Sequence, residues 1–547
     1  MRDLRTCEAC NASAKARVYR ARNRNKERRR IARALHSLEA AGDTALSKYD
    51  HSEAAIHYQE ALSAELPLID DDRISEKLVR AIFYTSRPDL ARGWIERSIA
   101  RHSALGLSTE GLAIQFMMPR QYWLEAKTPL SIALIGQIRK HHGERATVET
   151  QAQLEALSAN YLTLLGRYDE AGAHAVPLTA VHANSRARVI LANQRAMIDA
   201  AHGDAEGALV GFDSAVEAAK ALEDGYLLTI VWDDYANWST VLGKLETART
   251  CRERALFVAR EQHIAWRVPY LSLRYASLLI VMGDYTVAKE LLAEAITHSI
   301  ETPILRILAA TISAQLAYAM GNAVLESQRL DRDALEAAFA SSEPGWIGPI
   351  AAAYARILEQ NNAVDEARSI VSRAVSAINS ADHAEELLAL TARYGTRAEA
   401  KRAQDILRRR VHLPNGHVAA AFSRLWDAYD ALRHRSATSA RTIGTEAARH
   451  FRAIGWMHQE REAYKLAEPS RRVDAERARA PIAALGDFRP ALSARELQVA
   501  ELVLRGQTNR AIAKALSISE HTVESHMTSI FNRLGLRSRW QLQDLMK

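Results

Sequence analysis

The sequence predicts an all-α protein: a long array of helical hairpins followed by a small four-helix C-terminal domain. Three observations predict it. Aromatic residues make up only 6% of the 547 positions while alanine recurs throughout, which favours helices over sheets. A small, bulky, small pattern at steps of four and seven returns every 37 to 40 residues. Residues 491–547 carry short amphipathic segments, each preceded by a capping residue, separated by tight turns.

The chain begins with a basic stretch. Residues 1–33 hold twelve Lys or Arg against three Asp or Glu, a local charge of +9, and read as a disordered basic N-terminal arm. This start lacks the apolar core of a secretion signal, and the chain has no apolar run of membrane-spanning length, so a cytoplasmic protein without a membrane partner is expected. Cys7, Cys10 and Cys251 cannot make a disulfide framework. The CxxC at 7–10 has no second pair at zinc-finger spacing, and no metal site is expected.

The body, residues 34–467, carries a net −6, against +1 for 468–490 and +3 for 491–547. Polyanion binding is therefore expected at the ends of the chain and not along its body. Its repeat is anchored at Ala54, Tyr58 and Ala61, and returns at Ala208, Phe212 and Ala215, at Ala248 and Ala255, at Ala288, Leu292 and Ala295, and at Ala367, Val371 and Ala374. Weaker copies sit near Ala91, Ser131, Ala171 and Ser327, and Ala447, Phe451 and Ile454 close the series. Each strong copy has a small residue twelve positions earlier: Gly42, Ala196, Ala236, Ala276 and Ala355. Turns such as "LGRYDEA", "HGDAEGA" and "MGDYTVA" fall between the two, with Gly near the end of the first helix, so each unit is a helical hairpin. Small residues on facing helices allow close backbone approach, and units that cannot bury their apolar faces alone must stack into a solenoid with a concave groove. The pattern resembles tetratricopeptide repeats, although about 40 residues exceeds that family's usual 34. Tyr122, Trp123, Trp232, Tyr235 and Trp238 are expected to pack between repeats, with a ligand groove as the alternative.

Residues 468–490 include Pro469, Pro481 and Pro490 without sustained periodicity, and read as a linker. No catalytic constellation emerges along the chain, and neither an enzyme nor a cofactor is expected. The nearest approach to a phosphate loop, "LGKLE" at 242–246, has Leu245 where Ser or Thr is required and Trp238 where the first glycine belongs.

In the last segment, Ser493 precedes "ARE" and places Glu496 at the third position of a capping box. Leu497, Ala500, Leu502 and Val503 give that helix one buried face, and it ends near Gly506. Thr508 can cap a second helix, "NRAIAKAL", with Ile512, Ala513 and Leu516 inward. After the "SIS" turn, Ser519 can cap a third helix running from about Glu520 to Leu534. Two helices joined by a tight turn form a helix-turn-helix. On the third helix Val523, Met527, Ile530 and Leu534 share a stripe, with Ser525, Thr528 and Asn532 opposite and Glu524 at the side. That polar face suits a major groove, where Glu accepts from cytosine N4 and hydroxyls bond several base edges. Thr522, His526, Arg510, Lys514 and Arg533 lie where they can reach phosphates.

The runs "LSARE", "GQTNRAIA", "LSIS", "TVESH" and "RLGLRSR", in this order, closely resemble the LuxR-type C-terminal DNA-binding domain of bacterial regulators. The resemblance covers residues 491–547 and implies that Thr522 and His526 contact the DNA backbone while Glu524, Ser525 and Thr528 read bases. Thr508, Asn509, Arg510, Lys514 and Arg533 are expected to support the backbone contacts, and a last helix near Ser538 to Met546 to contribute a dimer contact. The family often has Lys where this chain has Glu524. A repeat body followed by such a module resembles the large MalT-like regulators, but their nucleotide-binding domain is not seen here, so ATP dependence is not carried over.

The expected function is sequence-specific transcriptional regulation, with the repeat body sensing a ligand or protein in its groove. The alternative is a repeat-based interaction scaffold with an auxiliary DNA-binding module. Expected partners are double-stranded DNA, a second copy of the chain on DNA, RNA polymerase, and the unidentified occupant of the groove.

Overall fold

The computed structural model describes Arg30 and residues 32–63, 66–104, 112–142, 147–174, 185–297, 302–321, 330–378, 380, 383–413, 416–467, 493–504 and 509–534. Among the described residues every regular element is a helix. The basic stretch 1–29, the CxxC, Ser327, the stretch 468–492, Gly506, Thr508 and the segment from Ser538 to Met546 lie outside the described residues.

The body is a tetratricopeptide-like helical-hairpin solenoid. Representative pairs are Arg186–Ala201 with Ala205–Ala221, Gly225–Val241 with Leu245–Glu261, and Arg267–Met282 with Tyr285–Ile296. The repeat anchors explain the packing. Ala54, Tyr58, Ala208, Phe212, Ala215, Ala248, Ala255, Ala288, Ala367, Val371, Ala374, Ala447 and Phe451 have no exposed surface, and Ala196, Ala236, Ala276 and Ala355 on the facing helices match them. At the first seam the Tyr58 ring lies so close to Gly42 that an added Cβ would sit 2.4 Å from it, so only glycine fits.

The turns inside the hairpins share one conformation. Gly166, Gly203, Gly243, Gly283, Gly321 and Gly455 all have positive φ, the left-handed state that glycine adopts without a Cβ penalty. Ala126, Asn362 and Arg435 hold the same state without glycine, which is why glycine alone does not mark every turn. An aspartate often follows and caps the second helix, as Asp204 does for Gly207 N at 2.9 Å and Asp284 for Val287 N at 3.3 Å.

The first helices of the hairpins face inward and the second helices form the outer layer. Winding brings distant repeats together across the interior. Trp266 Nε1 donates to Phe83 O at 2.7 Å, Thr128 Oγ1 to Glu343 Oε1 at 2.5 Å, and Arg410 to the carbonyls of Ala200 and Ala201. Arg356 bonds both Glu386 (2.7 Å) and Glu462 (2.8 Å), and Tyr318 donates to Glu462 at 2.5 Å. A solenoid in which each unit touches only its neighbours has no such ties. This body is instead cross-braced, and a partly open chamber of about 610 Å³ in it is lined almost wholly by first helices.

The aromatic residues divide between two roles. Trp232 and Tyr235 are buried in packing, with Tyr235 stacked on Phe212 at 4.8 Å, and Tyr122 lies against Arg92. Trp123 and Trp238 line the chamber. Among the described residues no helix is long and apolar enough to cross a membrane.

Candidate nucleic-acid interface

The C-terminal helices Ala494–Leu504, Asn509–Leu516 and Glu520–Leu534 have their own core of Val499, Ala500, Val503, Ile512, Ala513, Val523, Met527 and Ile530. Leu497, Leu502, Leu516, Ile518 and Phe531 pack at its edge. Most of this core was expected from the sequence, but Val499 was not, and Leu497, Leu502 and Leu516, expected inward, lie at its edge.

Both arms of the first capping box form. Glu496 N donates to Ser493 Oγ at 3.3 Å, and Ser493 N donates to Glu496 Oε2 at 2.7 Å. The same carboxylate, only 3% exposed, also accepts from Ser529 Oγ at 2.5 Å and pairs with Arg533 at 3.2 Å. Burial alone would raise its pKa, but the bonds from Ser529 and Ser493 and the Arg533 charge hold it at about 2. Glu496 thus clamps the first helix to the third. Sequence reading found the cap but not this tie, whose signal would have been two polar residues one turn apart on the inner shoulder of the third helix.

Arg495 donates to Leu516 O at 2.6 Å, satisfying a carbonyl at the end of the second helix and fixing that end against the first. Ser517 then takes a left-handed conformation, and Ile518 N reaches back to Ala513 O at 3.0 Å, closing a Schellman-type stop. The next helix starts at once, with Thr522 N donating to Ser519 Oγ at 3.0 Å and the two hydroxyls 2.7 Å apart. The short turn between the two helices therefore has a cap on each side.

This frame sets the third helix with Val523, Met527 and Ile530 inward and Glu524, Ser525 and Thr528 exposed on the other side. Ser525 Oγ donates to His521 O and Thr528 Oγ1 to Glu524 O, both at 3.0 Å, so each hydroxyl turns acceptor lone pairs outward. Thr522 and His526 are half-buried at the flank of this face. On the second helix Lys514 is exposed and Asn509 is half-buried, while the Arg510 side chain lies outside the described residues. Arg533 divides its role: it holds Glu496, yet 52% of its side chain is exposed.

Residues 490–546 match the family model described as "Bacterial regulatory proteins, luxR family". Over 51 residues the chain is 45% identical to the "Oxygen regulatory protein NreC" of Staphylococcus aureus strain JH9, covering 9% of this chain and 24% of that protein. The NreC protein of strain JH1 gives the same figures. The chain therefore spans about a quarter of the length of these curated relatives. Among solved structures, a Rap protein complexed with competence and sporulation factor aligns with 70% of this chain and 98% of its own, at 13% identity and a TM-score of 0.41. The APC/C hetero-tetramer Cut9-Hcn1 aligns with 94% and 96%, at 10% identity and a TM-score of 0.39. At these TM-scores neither likeness bears on function. Residues 490–546 form a helix-turn-helix domain of the luxR family, carried behind a tetratricopeptide-like repeat body.

Proposed function

We propose that this protein is a sequence-specific DNA-binding transcriptional regulator whose repeat body receives a ligand or protein partner and governs the C-terminal domain. The observation that carries the reading is the luxR-family domain itself, with an apolar core on one side of its third helix and an exposed polar face on the other. In this reading Glu524, Ser525 and Thr528 contact base edges in the major groove. Thr522 and His526 position the helix on the backbone, helped by Thr508, Asn509, Arg510, Lys514 and Arg533, and two copies bind paired half-sites.

The split between reading and positioning is testable on the full chain. Thr522→Ala and His526→Ala are expected to weaken binding to all duplexes alike. Ser525→Ala and Thr528→Val are expected to change base preference, at about 1–3 kcal/mol for each well-formed base interaction removed. The reverse assignment would rotate the reading face. Control by the body is tested by mapping genomic occupancy with and without residues 34–467. The deletion should bind irrespective of growth condition, and a deletion that responds as the full chain does removes the body from signalling.

A further inference from the structure

The chamber inside the repeat body is lined by as many carboxylates as arginines, but the two are unevenly matched. Most arginines around it have an acid: Arg80 pairs with Glu76, Arg186 with Asp224, Arg252 with Asp233, and Arg274 with Asp233 at 3.5 Å. Arg120 and Arg267 do not, for no carboxylate lies within ion-pair distance of either among the described residues. Arg267 is 2% exposed and, among the described residues, donates only to Thr229, through Oγ1 at 3.2 Å and the carbonyl at 3.0 Å. Arg120 makes one long contact to Phe83 O at 3.4 Å, and its buried Nε has no hydrogen-bond partner among the described residues.

Aromatic rings hold both guanidiniums in place. Arg120 is sandwiched between Phe83 at 4.0 Å and Tyr226 at 3.9 Å, and Arg267 lies over Tyr270 at 4.7 Å and near Trp266 at 5.4 Å. The two cations share the Tyr226 and Trp266 rings, so like charges lie close together where water is scarce. Burial lowers the Arg120 pKa, and the Arg186 and Arg267 charges push the same way. Ring faces offset part of that cost, yet most of the N–H donors of the two side chains remain unused. Asp234 on the same lining feels the Arg267 charge without bonding it, so an anion between the two arginines would supply the acceptors and the close negative charge that they lack.

We propose that the chamber binds a small organic anion, a carboxylate or phosphate ester on an aromatic or apolar body, with Arg120 and Arg267 holding the charged end. A volume of about 610 Å³ suits a small molecule. Tyr84, Trp123 and Tyr161 offer ring surface for the body, and Leu157 and Ile190 extend it. The proposal names the chemical class of the ligand that the regulator reading requires, and it rests on that reading.

The test uses the purified full chain without DNA, so its failure leaves the operator-binding reading intact, and failure of that reading would show only with DNA. The fluorescent probes are anilinonaphthalene sulfonate, which is anionic, and phenylnaphthylamine, which is neutral. Phenylacetate, phenyl phosphate and the neutral phenylethanol compete for the site. Either anionic competitor should displace the sulfonate probe at concentrations at least about tenfold below those phenylethanol needs, and the more potent of the two identifies the headgroup. Arg120→Gln and Arg267→Gln should each weaken the sulfonate probe by about tenfold or more and spare the neutral one, while Arg120→Lys retains binding. Equal displacement by charged and neutral competitors on the unaltered chain overturns the proposal, and so does sulfonate binding unchanged by both glutamine variants. The competitor comparison needs no variant and decides the matter even if a substituted chain does not fold.

Discussion

The repeat body buries charge, whereas the C-terminal domain keeps it at the rim. Arg252, Arg267, Arg356, Asp233 and Glu385 are each below 5% exposed inside the solenoid. Among the described residues of the C-terminal domain, Glu496 is the one buried charge, and it serves as a strut between two helices. Both regions repeat small amphipathic helices, but they present different surfaces. The body turns a polar, aromatic interior toward a chamber that suits a small solute, and the domain turns a polar helix face outward where a duplex can reach it.

The largest effect that would break this comparison lies in the buried braces. Removing one member of a buried ion pair leaves the other uncompensated. Glu462→Ala, which leaves Arg356 with Glu386 alone and Tyr318 without its acceptor, is therefore expected to destabilise the body by about 3 kcal/mol, measured by denaturant unfolding. The C-terminal transition should not move. A loss below about 1 kcal/mol would mean that the brace is wet and the body less closed than described.

Overfilling a seam should have the next largest effect. Ala288 has no exposed surface, and Ala288→Trp is expected to cost about 1–3 kcal/mol or more and to disturb signalling while the C-terminal domain still binds DNA. Operator occupancy under inducing and non-inducing growth measures the outcome. In the domain itself, Ser493→Ala removes a helix cap and is expected to cost about 1 kcal/mol in thermal unfolding.

Two glutamates sharpen the contrast through opposite pH responses. Burial pushes Glu343 in the body up to about 8, against bonds such as that from Thr128, so the folded body prefers it protonated. Its contribution is complete below the ordinary value of 4.5 and declines as the pH rises through about 8. Glu496 is held at about 2, so its contribution is complete above 4.5 and is lost as the pH falls toward about 2. Calorimetry across pH should show the body transition weakening as the pH rises from about 4.5 to about 8 and the domain transition weakening as it falls from about 4.5 toward about 2. Glu343→Gln and Glu496→Gln should flatten the respective trends.

What the sequence made legible follows from how local each signal is. Alanine anchors, glycine turns and the Ser493 and Ser519 caps act within one hairpin or one helix, and they were readable at fixed spacing. The core stripe of the third helix was readable from phase alone, which also put Ser525 and Thr528 on the exposed side with Glu524 beside them. The braces were not readable, because Thr128 with Glu343 and Arg356 with Glu462 join residues 215 and 106 positions apart. The inward charges were hidden for a related reason, since an arginine in a helix ordinarily reads as a solvated face. One clue was present: "GYLLTIVWDDYANWSTV" is apolar nearly all round, which marks a buried helix and makes Asp233 and Asp234 within it interior groups.

The central claim is that the exposed face of the third helix engages duplex DNA. The most direct test titrates the full chain with a labelled pool of genomic duplexes, starting at low salt and raising the salt stepwise. The account predicts retention of a subset of sequences, with log affinity falling linearly as log salt rises because phosphate contacts release counterions. A folded chain that retains no duplex even at low salt would contradict it.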